Sequence, residues 1–155
     1  MVVKNEHYAS QIKRRGLTVR RVTRASDFFR LPIFDKKGYI VKSNTSSLWA
    51  GQKFPPVIYA SSGSSGRPTY WYRGDQQEMM GADIHEIIFK SIFGITKNTP
   101  TLVVICFSMG VWVAGGYTLE SCRNLARKGY NLSIITPSIE RDDILSVLRE
   151  LAPQY

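Results

Sequence analysis

The sequence predicts an α/β fold, a partial three-layer arrangement built on a mostly parallel sheet. Three observations lead there. Short apolar runs of strand length recur at residues 57–60, 101–107 and 131–135. The segments between them carry apolar residues at helical spacing, and glycine or proline punctuates the joins. Strands separated by helices imply βαβ crossovers, which join parallel strands.

The first run, Val-Ile-Tyr-Ala, enters a Gly/Ser turn as a buried strand does. Asp75 and Glu78 have capping-box spacing at the start of a helix whose apolar stripe includes Met79, Ala82, Ile87 and the stretch from Phe89 to Phe93, and Gly94 suits its end. Residues 101–107 form a second strand. Thr118 can cap a helix running to Lys128 and closed by Gly129. Residues 131–135 make a third strand, stopped by Pro137. A last helix follows Ser138, with Ile144, Leu145, Leu148 and Leu151 on one face and Pro153 ending it. Before all this, residues 27–31 and 35–41 each suit a short helix or turn, with Pro32 between them.

At 155 residues, 43% hydrophobic and 21% charged, the chain can bury a core and is unlike a disordered tail. No apolar run approaches the length needed to span a bilayer, so no membrane partner is expected. The polar, basic start does not resemble a signal peptide. Two cysteines, Cys106 and Cys122, are too few for a disulfide framework and lack a zinc spacing, so no metal ligands are assigned and a reducing cytoplasm is expected. The net charge of +9 lies entirely in residues 1–55, which hold 12 Lys and Arg against 3 Asp and Glu. Residues 1–55 therefore read as a basic lead-in segment and residues 56–155 as a βαβα core, both within one domain. The basic segment permits a second class of function, a non-enzymatic module binding nucleic acid or another polyanion. No helix-turn-helix, zinc or RNA-binding signature accompanies it, so a nucleic-acid partner is not expected.

The most informative stretch is Ser61-Ser62-Gly63-Ser64-Ser65-Gly66-Arg67-Pro68-Thr69, directly after the first strand. Gly63 and Gly66 let the main chain approach a ligand closely. The serine hydroxyls and backbone N–H groups form a concave set of donors suited to phosphate oxygens, and Arg67 adds a positive charge. Two residues separate Gly63 from Gly66 and Arg67-Pro68 follow, which excludes a Walker A loop. Ser61 stands where a dinucleotide fingerprint needs its first glycine.

Residues 61–68 resemble, across eight consecutive positions, the phosphate loop of adenylate-forming enzymes, Ser/Thr-Ser-Gly-Ser/Thr-Thr-Gly-x-Pro, departing from it only where Ser65 replaces the usual threonine. Thr69 replaces the frequent lysine, as in the phenylacetate–CoA ligase group. Residues 27–37, with Leu31-Pro32-Ile33 before Asp35-Lys36, resemble the family's approach to that loop. Residues 110–116, Gly-Val-Trp-Val-Ala-Gly-Gly, resemble the turn that lines the carboxylate pocket. The resemblance implies the early part of the large N-terminal domain of an acyl- or aryl-CoA synthetase. ATP and a carboxylate would give an acyl-adenylate and pyrophosphate, and coenzyme A would then take the acyl group. The implied phosphate-binding residues are Ser61, Ser62, Gly63, Ser64, Ser65, Gly66, Arg67 and Thr69, with Mg2+ sharing the charge. Trp112, Gly115 and Gly116 would line the substrate pocket. Segments for adenine, ribose, the hinge and the catalytic lysine have no counterpart here, so the chain is expected to be inactive without the remainder of the adenylation domain. Residues 106–110, Cys-Phe-Ser-Met-Gly, also resemble a nucleophile elbow, but His7 and His85 both precede Ser108, against the order a hydrolase of that kind requires.

Overall fold

The computed structural model describes residues 6–18, 24–49, 54–63, 66 and 68–155. They fall into two compact units, Met1–Phe54 and Pro55–Tyr155.

The first unit is helical. It holds α1 (Glu6–Arg14), α2 (Ala25–Phe28), a π-helical turn (Lys36–Ile40) and α3 (Thr45–Leu48). At the two places where the sequence suits a short helix or turn, aspartates close the turns. Asp27 accepts from the Arg24 amide at 3.0 Å, and Asp35 from the Gly38 amide at 2.5 Å. Tyr8 meets the edge of Phe34 with ring centroids 4.5 Å apart, and Phe34 meets Tyr39 at 4.8 Å, so α1 and the π turn share an aromatic contact.

The second unit contains β1 (Val57–Ser61), β2 (Thr69–Arg73), α4 (Asp75–Phe93), β3 (Thr101–Val104), α5 (Val113–Arg127), β4 (Leu132–Ile135) and α6 (Arg141–Leu151). The order of strands and helices follows the sequence pattern, but the sheet is not the expected one. β3 and β4 pair in parallel through the α5 crossover, with Thr101 opposite Leu132. β1 instead pairs antiparallel with β2, Val57 opposite Arg73 and Ser61 opposite Thr69. On its other edge β1 makes an isolated parallel bridge, Ala60 to Trp112, where the Ala60 amide donates to the Val111 carbonyl at 2.7 Å. A mostly parallel, three-layer sheet is therefore corrected to a mixed α/β arrangement of two small sheets. The cause lies in Thr-Tyr-Trp-Tyr-Arg after the glycine loop. Its aromatic residues favour strand geometry, and the loop is long enough to fold it back as a hairpin.

Two helix starts also differ from expectation. The α4 cap is Gly74, whose amide donates to Gln77 Oε1 at 2.6 Å, while the Gln77 amide donates to the Gly74 carbonyl at 3.0 Å. Glu78 is turned inward, 5% exposed, to a different task. α5 begins at Val113 rather than Thr118. The pair Gly115-Gly116 looks like loop, yet here it lets the helix approach its neighbours. A Cβ on Gly116 would lie 2.7 Å from the Tyr59 ring, and one on Gly115 would overlap the Ser108 carbonyl oxygen. The helix ends agree with the sequence: Gly94 closes α4 in a left-handed conformation, and Gly129 follows α5 likewise.

The core lies between α4, α5 and the strands, with Tyr59, Ala60, Ala82, Ile105, Cys122, Leu125 and Tyr130 buried. The helices approach closely at Gly81, where an added Cβ would fall 2.7 Å from the Tyr117 ring. A surface network joins the same helices. Glu86 bonds Lys90 at 2.8 Å and Lys128 at 3.1 Å and accepts from the Tyr130 hydroxyl at 3.1 Å, and Lys128 also reaches Asp83. Hydrogen bonds from Lys90 first, then Lys128, pull the Glu86 carboxyl down to about 2. Both cysteines are free; Cys106 is exposed, and burial pushes the Cys122 thiol up to about 11. Among the described residues no helix is long and apolar enough to cross a membrane.

Candidate functional site

β1 carries the chain into the Gly/Ser loop at Ser61, its carboxyl end. The carboxyl ends of β3 and β4 open to the same place. Ser61 and Ser62 from β1, Cys106, Phe107 and Ser108 after β3, Trp112 to Ala114 at the start of α5, and Ile139 after β4 enclose a groove of about 510 Å³. Open α/β sheets place ligand sites beyond the carboxyl ends of their strands, and this groove has that position.

The strand is held from behind. The buried Tyr59 hydroxyl donates to Glu78 Oε2 at 3.2 Å, and Arg73 Nε meets Glu78 Oε1 at 2.5 Å. The Arg73 guanidinium also lies 4.6 Å from the centre of the Tyr117 ring. Burial, and after it the Glu78 charge, pushes the Tyr59 phenol above its ordinary range, so it stays a donor. These four residues thus connect β1, β2, α4 and α5, and fix where Ser61 emerges.

Of the loop residues expected from sequence, Ser61 and Ser62 line the groove. The Gly66 amide donates to the Gly63 carbonyl at 3.0 Å. Gly66 has φ +78 with open space around it, so its requirement for glycine is conformational. Ser64, Ser65 and Arg67 lie outside the described residues. Thr69 is buried at the start of β2, opposite Ser61. Trp112 forms part of the groove wall at 39% exposure. Gly115 is buried against Ser108 and Met109, behind the groove. Gly116 packs against Tyr59 and lines a second groove of about 430 Å³ with Glu78 and Arg127. The structure therefore gathers Ser61, Ser62 and Trp112 at one groove, while Gly115 and Gly116 set how closely α5 approaches.

Sequence reasoning missed Phe107 and Ile139, which complete the apolar wall, and Trp71, whose indole N–H donates to Ser61 Oγ at 2.9 Å. The signal for Trp71 was the aromatic run after the loop. Ser108 lines the groove, but His85 does not; its Nδ1 lies 2.8 Å from the Gly81 carbonyl, between α4 and Tyr117. The groove offers serine hydroxyls at one end and an apolar wall at the other, with no carboxylate among its lining residues. That donor set fits phosphate oxygens. It gives a magnesium ion no charged ligand, and among the described residues no group of three or more His, Cys, Asp or Glu gathers to hold a metal.

No family model matches the sequence, and neither does any curated protein. Solved structures do match. An open conformation of 2-hydroxyisobutyryl-CoA ligase, in complex with 2-HIB-AMP and CoA, superposes with a TM-score of 0.73 at 14% identity, over 97% of this chain and 34% of the ligase chain. The same ligase in the postadenylation state with 2-HIB-AMP, and in the thioesterification state with 2-HIB-AMP and CoA, each gives a TM-score of 0.71 at 14% identity, over 97% and 31% of the two chains. The class that fold and groove define is thus a mixed α/β unit with the fold of part of an acyl-CoA ligase. The chain spans about a third of that ligase's length.

Proposed function

We propose that this chain is the phosphate-gripping N-terminal part of an ATP-dependent carboxylate–CoA ligase of the phenylacetate–CoA ligase kind. The observation that carries the reading is the emergence of the Ser/Gly loop from β1 into a groove with Trp112 on its wall. The fold of an acyl-CoA ligase supports it.

In this reading the Ser61, Ser62, Ser64 and Ser65 hydroxyls and the Gly63 amide hold the β- and γ-phosphates of ATP, while Gly66, whose amide closes the turn onto the Gly63 carbonyl, shapes the loop around them. Such donors, preorganised where negative charge grows on departing pyrophosphate, lower the barrier to adenylation. Arg67 contributes less, because its position varies within the resembled family. The wall of Phe107, Trp112 and Ile139 receives the apolar part of an aryl or acyl carboxylate and excludes water from it. Coenzyme A is the thioester acceptor, the remainder of an adenylation domain is the working partner, and the cytoplasm is the compartment. Mg2+ would arrive bound to ATP, where it would share the phosphates' negative charge, since the groove supplies no carboxylate to hold it.

Phosphate contacts alone give weak binding, on the order of millimolar, or about 4 kcal/mol. The 155 residues should therefore bind ATP weakly and show no carboxylate-dependent pyrophosphate exchange. In a full-length ligase containing this segment, a bulky residue at Gly63 or Gly66 should depress adenylation strongly, and replacement of Arg67 should matter less. Normal adenylation with Gly66→Val would overturn the phosphate assignment. Robust acyl-CoA formation by the 155 residues would overturn the division of labour.

A further inference from the structure

The loop's first hydroxyl is not left to find its own orientation. In the β1–β2 ladder, Tyr59 stands opposite Trp71 and Ser61 opposite Thr69, so Trp71 lies diagonally across from Ser61 on the same face. From there its indole N–H donates to Ser61 Oγ at 2.9 Å. An indole nitrogen can only donate. Ser61 Oγ is therefore the acceptor, and its own O–H proton remains to be given elsewhere. Among the described residues no acceptor takes that proton, and Ser61 lines the groove.

We infer that Trp71 is a positioning residue for the phosphate loop: it holds Ser61 Oγ as an acceptor on the sheet side, so that the Ser61 O–H donates into the groove, to a phosphoryl oxygen. The inference rests on the phosphate reading above and adds to it a residue outside the loop. Two physical effects act together. A hydroxyl pinned by one bond loses less freedom when it makes a second. A hydroxyl that accepts a hydrogen bond is also polarised toward donating one. The ladder itself pairs five residues on each strand by backbone contacts, so the hairpin does not depend on this side-chain bond. At 39% exposure Trp71 is open enough to accept substitution.

The test uses the 155-residue chain with inorganic tripolyphosphate as probe, titrated calorimetrically and followed by the indole N–H resonances of the three tryptophans. Trp71→Phe keeps a ring on the hairpin and removes only the donor. Trp71→Phe and Ser61→Ala should each weaken tripolyphosphate about three- to tenfold, as loss of one hydrogen bond does. The double variant should bind no worse than Ser61→Ala alone, because the two residues act through one bond. The Trp71 indole resonance, identified by its loss in Trp71→Phe, should move in Ser61→Ala and again on adding tripolyphosphate. If Ser61→Ala weakens binding while Trp71→Phe binds as wild type, the phosphate reading stands and the positioning role falls. Additive losses in the double variant would also overturn that role, as a merely structural contribution from Trp71 predicts. Absence of wild-type binding, or binding unchanged by Gly66→Val, overturns both. Should Trp71→Phe disturb the hairpin, the indole shift in Ser61→Ala still decides whether the bond exists.

Discussion

Gly115 lies in the first turn of α5, with Trp112 just before the helix and the Ser108 carbonyl directly beside it. Its backbone is in the ordinary range, so alanine there suffers no conformational penalty and would even favour the helix by about 1 kcal/mol. Sterics reverse that sign. The added methyl would overlap the Ser108 oxygen and come within 2.7 Å of Met109 Sδ and 3.1 Å of the Ser108 carbonyl carbon. Met109 can rotate away, but a main-chain oxygen cannot. Either α5 or the 106–110 segment must shift, and overpacking of this kind costs about 1–3 kcal/mol. We expect Gly115→Ala to lower the thermal midpoint by about 3–10 °C, the range that such a loss produces in a domain of this size. The Trp112 indole resonance should move as well, because the groove wall moves with the helix. Gly94→Ala provides the contrast: nothing lies within 4 Å of its Cβ, and its cost of about 1–2 kcal/mol comes from φ +66 alone, without effect on Trp112. An unchanged midpoint and an unchanged Trp112 resonance in Gly115→Ala would refute this account of why α5 carries two glycines.

Three further expectations follow from the ion pairs and the charge distribution. Glu78→Gln should cost about 2 kcal/mol in urea denaturation, since it leaves Arg73 without its buried counter-charge; the Tyr59 phenol should still titrate above its ordinary range of 10, because burial is the larger cause of its shift, and a spectrophotometric titration reads this directly. Glu86 has a folded value near 2 against an ordinary 4.5, so its stabilising contribution is present above 4.5 and is lost as pH falls toward 2; the urea midpoint of wild type should fall through that window by more than that of Glu86→Gln. Any heparin or DNA binding should vanish on deleting residues 1–25, but Ile12 and Leu17 are buried, so charge reversal at the exposed Lys13, Arg14 and Arg15 is the cleaner experiment. Retained polyanion binding in that variant would place the interaction elsewhere.

Much of the local structure was legible in the chain's own chemistry. α4 ends at Gly94 and α5 before Gly129 because only glycine adopts the left-handed conformation there without cost. Asp27 and Asp35 close turns through bonds spanning three residues, and β3–α5–β4 obeys the rule that parallel neighbours need a helical crossover. Glu78 shows where such reasoning runs out. Its spacing from Asp75 is that of a cap, yet Tyr59 and Arg73 draw it inward from a different element. Gly115 and Gly116 present the same difficulty, because a glycine kept for close packing is indistinguishable in sequence from one kept for a turn.

The residues thus determined by themselves the Ser/Gly loop, its place after a strand, the helix ends and the concentration of charge in residues 1–55. Those are properties of one segment and its neighbours along the chain. Only the tertiary structure decided that β1 pairs with β2 rather than with β3, that Ile139 and Phe107 face the same groove as Ser61, and that Trp71 holds the Ser61 hydroxyl. Those contacts join residues from different elements. Several arrangements of the same amphipathic strands and helices would satisfy their patterns equally well, and the choice among them is made by packing at Gly81, Gly115 and Gly116 and by the buried Tyr59–Glu78–Arg73 bonds.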